Sequence, residues 1–168
     1  FILRIEDTDR KRFVSGAEEY IIEALEWCGI SPDEGPHIGG EYGPYRQSER
    51  KDIYHKYVQK LIDSGAAYYA FDSSEELEEM RDQLSKEGVH APKYDHSSRM
   101  RMKNSLTLSE EETKQLINKS DDVIVRLKVD AEQEVVVNDI IRGEVKFNTS
   151  ELDDKVLLKA DGMPTYHM

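Results

Sequence analysis

The chain has 168 residues, 38% of them apolar, and a net charge of −12. That length suits one domain, or one domain carrying an insertion, with room for a core. The composition excludes a disordered chain and a membrane span, the charge argues against a dedicated basic nucleic-acid-binding domain, and the single Cys28 excludes an internal disulfide and a cysteine-rich zinc cluster.

Phe1, Leu3 and Ile5 predict a short buried strand that runs into Glu6, Asp7 and Asp9, then into Arg10, Lys11 and Arg12. A strand that stops in a charge cluster suits the carboxyl end of a strand in an open α/β sheet, where such sheets bind ligands. A solvated turn fits the spacing equally well. Ser15 to Glu18 reads as a capping box opening a helix whose apolar face is Ala17, Ile21, Ala24, Leu25 and Cys28, with Gly29 as its stop. Residues 31–45 form a Gly/Pro-rich loop. A second helix is expected over 48–64, with Ile53, Tyr54, Tyr57, Val58, Leu61 and Ile62 inward and Gly65 as its stop.

After Tyr68-Tyr69-Ala70-Phe71 the character changes. Ser73 opens an acidic helix with Leu77, Met80 and Leu84 inward and Gly88 at its end. Residues 89–108 read as irregular and basic. Ser109 to Glu112 is another capping box. The period then switches to two: Val123, Val125, Leu127 and Val129 alternate with polar residues, as in a half-buried strand. Residues 134–148 continue as strand, bent at Arg142-Gly143. A short strand over 155–159, a turn at Asp161-Gly162 and a last extended segment close the chain. The block between residues 70 and 155 is far longer than an ordinary crossover, so an inserted domain is expected. Charge is segregated: residues 72–82 hold six acids and one arginine, while 86–105 hold Lys86, Lys93, Arg99, Arg101 and Lys103 against Glu87 and Asp95. A phosphate backbone responds to such local fields. There is no initiator methionine and no secretory signal, and both ends read as cut from a longer chain.

Three tracts stand in order: Leu3-Arg4-Ile5-Glu6-Asp7-Thr8-Asp9, Gly43-Pro44-Tyr45-Arg46-Gln47-Ser48-Glu49-Arg50 and Asp161-Gly162-Met163-Pro164-Thr165-Tyr166-His167. Together they resemble the catalytic half of glutamyl-tRNA synthetases, which are class I aminoacyl-tRNA synthetases. The resemblance implies a partial Rossmann-type α/β fold. Residues 1–67 would begin the catalytic domain, 68–160 would be an inserted α+β domain that binds the tRNA acceptor stem, and 161–168 would return to the catalytic domain. It implies ATP-dependent joining of L-glutamate to tRNA(Glu) through glutamyl-adenylate, with magnesium accompanying ATP, in a cytoplasmic monomer without membrane contact. Glu6 matches the acid that holds the substrate ammonium, a charge-assisted contact, and Tyr166 a tyrosine of the amino-acid pocket. Asp9 and Arg12 match positions near the reacting ends of ATP and tRNA. Lys93, Arg99, Arg101 and Lys103 are candidate acceptor-stem contacts, with a solvated loop as the alternative. Arg46 and Gln47 fit a loop staple as well as a ligand contact.

His37-Ile38-Gly39-Gly40 imitates the His-Ile-Gly-His motif, but that motif opens a helix upstream of the carboxylate tract. Both ATP-phosphate motifs fall outside these residues, so the piece alone is expected to be inactive. Tyr69 to Asp72 offers no thiolate where some relatives bind zinc, so no zinc is expected, and His90 and His96 read as surface or RNA-facing residues. Two other functions compete: a related enzyme that glutamylates a modified anticodon base, and a non-catalytic tRNA-binding module.

Overall fold

The structure, a computed structural model, describes residues 1–9, 12–120 and 122–168. Arg10 and Lys11, part of the expected cation run, lie outside the described residues.

The first strand is the least regular element. Residues 1–5 make only two isolated parallel bridges, Ile2 with Glu34 and Ile5 with Arg46. Helix α1 (Ala17–Trp27) follows. The expected capping box does not form. Gly16, at φ 79°, is the N-cap and no side chain caps it. The Glu18 carboxylate that would complete the box is instead taken by Arg46, at 2.6 and 2.9 Å. The apolar face of α1 has no buried residue, and Ile21 is exposed. A four-residue 3-10 turn (Gln47–Arg50) leads into α2 (Lys51–Asp63). Gly65, at φ 74°, closes α2: its N–H reaches Ile62 O and the Ala66 N–H reaches Leu61 O, the pairing of a Schellman stop.

Strand β1 (Ala67–Ala70) pairs antiparallel with β2 (Ile124–Leu127), and β2 with β5 (Val156–Leu158). Between them come α3 (Ser74–Lys86) and α4 (Glu110–Lys119), each with a complete capping box, on Ser73 and Ser109. A separate hairpin joins β3 (Glu134–Asp139) to β4 (Gly143–Asn148).

The central sheet has two covered faces. On one, Ala67, Val125, Leu157 and Leu158 pack with Val58 of α2. On the other, Tyr68 and Ala70 pack with Met80 and Leu84 of α3 and with Tyr94. This corrects the expectation of a half-buried strand at 123–129. Val125 and Arg126 are both buried, because α3 and the segment around Tyr94 cover the face that alternation assigned to solvent.

Candidate functional site

The two ends of the chain meet. Gln47, with no solvent exposure, accepts from the Thr8 hydroxyl at 3.0 Å and donates to Thr165 O at 3.2 Å. Lys159 Nζ donates to Thr8 O at 2.8 Å. Asp7 accepts from the Ser48 N–H and hydroxyl, at 2.8 and 2.5 Å, so its charge caps the turn that enters α2. The Asp161-Gly162 turn rests on α2: His55 Nε2 lies 2.7 Å from Gly162 O, and Lys51 Nζ lies 3.4 Å from Asp161 O.

These staples frame a cleft of about 720 Å³, lined among others by Glu6, Asp9, Arg12, Arg126, Asp153, Lys155, Lys159, Asp161 and Tyr166. All four residues expected near small ligands therefore share one cleft. Glu6 is ion-paired with Arg4, both about half exposed. Asp9 holds Arg12 Nε at 2.7 Å. Tyr166 is 70% exposed, its ring centroid 3.9 Å from that of His167. Acids and cations alternate around the cleft, which suits a ligand carrying both signs or a phosphate beside an ammonium. The sequence tracts located Glu6 and Tyr166. Gln47 is resolved as a staple and Arg46 as the link to α1. Arg126, Lys155 and Lys159 carried no motif signal, and strand alternation put Arg126 on the solvent side.

The basic stretch divides. Arg99 was expected to face RNA, and here the expectation is corrected. Its side chain is 9% exposed, and Nη1 lies 3.1 Å from both Asp154 Oδ2 and Val129 O. Its charge is committed inside the protein. Arg101 is exposed and paired with Glu87 at 2.9 Å. Lys93 donates to Glu151 O at 2.6 Å, and Lys103 is exposed. A buried polar network lies beneath the sheet, built from Tyr68, Asp72, Tyr94 and Asp154. Tyr68 donates to Asp154 at 2.5 Å and Tyr94 to Asp72 at 3.0 Å. Burial first, and then the Asp154 carboxylate, raises the Tyr68 phenol far above its ordinary range, so it remains a donor. Burial also raises the Asp72 carboxyl, against hydrogen bonds from the Lys103 N–H and Tyr94. The His37 to Gly40 tract sits in a tight turn, Gly39 N–H to Gly35 O at 2.8 Å, and opens no helix.

With this geometry in view, the comparisons with known proteins are specific. The family model for the catalytic domain of class I tRNA synthetases (E and Q) matches residues 1–168. The glutamate–tRNA ligase of Cytophaga hutchinsonii is 56% identical over 99% of this chain and 32% of its own length. That of Phocaeicola vulgatus is 58% identical over 99% of the chain and 32% of its own. The crystal structure of a glutamate tRNA ligase from Elizabethkingia meningosepticum in complex with its amino acid superposes with a TM-score of 0.93 at 51% identity, over 99% of this chain and 33% of that one. The chain thus spans about a third of the length of the curated relatives it matches. The match over every residue, with the close superposition, establishes that the chain belongs to the class I tRNA synthetases of the glutamate and glutamine type, as part of their catalytic domain.

Proposed function

We propose that this chain belongs to a ligase that joins L-glutamate to tRNA(Glu). The substrate carboxylate attacks the α-phosphorus of magnesium-bound ATP, pyrophosphate leaves, and the glutamyl group passes from the adenylate to the 3′-terminal ribose. Glu6 holds the substrate ammonium once Arg4 yields it, and Tyr166 orients the amino acid. Asp9 and Arg12 serve the reacting ends of ATP and RNA. Residues 68–160 receive the acceptor stem through Lys93, Arg101 and Lys103, with 1–67 and 161–168 belonging to the catalytic domain. The reading includes a cytoplasmic monomer that carries no zinc.

The observation that supports this best is the convergence of Glu6 and Tyr166, from opposite ends of the chain, on one cleft. In the full-length ligase, Glu6→Ala removes a charge-assisted contact of about 1.5–3 kcal/mol, roughly ten- to hundred-fold in kcat/KM for glutamate. Steady-state kinetics should show that loss, with tRNA parameters little changed, and a milder one for Tyr166→Phe. Wild-type glutamate kinetics in Glu6→Ala would make Glu6 a surface acid.

A further inference from the structure

Glu6 and Tyr166 come from opposite ends of the chain, and neither side chain has a partner in the frame of the cleft among the described residues. Glu6 pairs with Arg4, both about half exposed, and Tyr166, 70% exposed, leans on its neighbour His167. Their spacing is therefore set by the main chain on either side of them. Residues 1–5 join no sheet and make two isolated bridges, so this main chain needs a further anchor. Gln47 supplies it. Its N–H donates to Ile5 O at 2.8 Å and its Oε1 accepts from the Thr8 hydroxyl at 3.0 Å, one contact on each side of Glu6. Its Nε2 donates to the main-chain oxygen of Thr165, directly before Tyr166, at 3.2 Å. Thr165 is in turn fixed to β5, its N–H to Leu157 O at 2.9 Å and its hydroxyl to Val156 O at 2.5 Å. Gln47 has no solvent exposure, so it acts on a ligand only through these neighbours.

We infer that Gln47 is a positioning residue of the glutamate site, a buried amide that fixes the spacing between Glu6 and Tyr166 and so sets how well the cleft holds the amino acid. The inference rests on the ligase reading above. A primary amide carries an acceptor and a donor on one rigid plane. Gln47 turns the acceptor to the Thr8 side and the donor to the Thr165 side, and the need to satisfy both buried groups fixes its direction. A carboxylate could not donate to Thr165 O, and a thioether of similar length would satisfy neither partner. With the side-chain bonds gone, each wall keeps its own main-chain anchor: Ile5 N–H to Tyr45 O at 2.9 Å on one, Thr165 to β5 on the other. The fold persists while the spacing relaxes. A misplacement of about 1 Å in a substrate-positioning group costs up to about a hundredfold, and a relaxed one about tenfold.

In the full-length ligase, Gln47→Met, Thr8→Val and Thr8→Ser are compared with wild type by KM for glutamate, ATP and tRNA, and Gln47→Met is also combined with Glu6→Ala. Gln47→Met and Thr8→Val should each raise the glutamate KM about tenfold, with the ATP and tRNA KM moving less than about threefold. Thr8→Ser, which keeps the hydroxyl, should stay near wild type. Because Gln47 acts through Glu6 and Tyr166, Gln47→Met should lower glutamate kcat/KM clearly less in the Glu6→Ala background than in wild type. A residue that only stabilises the fold would lower the active fraction and the thermal midpoint, leaving KM unchanged and the two losses additive. A wild-type glutamate KM in folded Gln47→Met and Thr8→Val, or full additivity with Glu6→Ala, overturns the inference. So does a rise of all three KM values together, which makes Gln47 a general brace of the cleft, and so does a loss in Thr8→Ser as large as in Thr8→Val. Should Gln47→Met fail to fold, Thr8→Val measured against Thr8→Ser decides. A wild-type protein that does not charge tRNA overturns the ligase reading instead.

Discussion

Replacing Asp154 by alanine strips the anion that joins Tyr68, Arg99 and Val129. The residue has no solvent exposure, and its carboxylate accepts from Tyr68 Oη at 2.5 Å, Arg99 Nη1 at 3.1 Å and the Val129 N–H at 2.9 Å. The main-chain contacts survive the change: Asp154 N–H to Tyr94 O at 2.7 Å, and Arg126 to Asp154 O. What the change strands is one buried cation and two neutral donors. Removing one partner of a buried ion pair costs about 3–5 kcal/mol. Each stranded donor would add about 1–3 kcal/mol, but water entering the vacated space offsets part of this and the terms do not add. A total near 4 kcal/mol corresponds to roughly a thousand-fold more frequent opening of the β1–β2–β5 sheet. Hydrogen exchange followed by mass spectrometry on the full-length ligase reads this directly in peptides covering 66–71, 123–129 and 155–159. The double variant Arg99→Met, Asp154→Leu should recover much of the loss, since an apolar pair of similar bulk often matches a buried ion pair. Protection in Asp154→Ala within about fivefold of wild type, under 1 kcal/mol, would refute the reasoning.

Asp72 gives a pH dependence of defined sign. Burial raises its folded pKa above the ordinary carboxylate range, so the folded state holds the proton more tightly than the unfolded chain. Its contribution is therefore full at acid pH and is lost as pH rises through the folded pKa. The thermal midpoint of Asp72→Asn relative to wild type should climb between the carboxylate range and neutrality, and a gap that shrinks toward neutral pH contradicts the sign. For the acceptor surface, a double Arg101→Ala, Lys103→Ala change should raise the tRNA KM and lower the salt slope by about two, leaving glutamate and ATP parameters in place. A wild-type slope would return that stretch to a solvated loop.

Local signals were the legible ones. The Ser73 and Ser109 caps, the glycine stops and the hairpin bend at Gly143 need only a few neighbouring residues, and the structure reproduces them. The Ser15 cap failed for a nonlocal reason: Arg46, 28 positions away, competes for Glu18. The same limit left Gln47 undecided between staple and ligand contact, since its partners Thr8 and Thr165 lie 39 and 118 positions from it. Glu6 and Tyr166 stood out through the tracts around them. Arg126 did not, because alternation in a strand says which residues share a face and nothing about what covers that face.

Arg99 and Arg101 make the point about charge. They occupy one 3-10 turn, two positions apart, and no local rule separates them. One turns inward to Asp154, 55 positions along the chain, and the other outward to Glu87. The burial of Arg99 takes a cation from the surface that was expected to meet RNA, while Arg126, counted as the polar side of a strand, lies on the wall of the cleft. The cations of this part of the chain therefore stand in two places rather than one, an outer set on the irregular stretch and Arg126 with Lys155 beside the cleft. Arg99 and Arg126 both lean on one buried frame, Asp154 with Tyr68 and Tyr94: Arg99 meets the Asp154 carboxylate, and Arg126 meets its main-chain oxygen and the Tyr94 ring. Loosening that frame should disturb both contacts together, whereas truncating an exposed cation should disturb only its own.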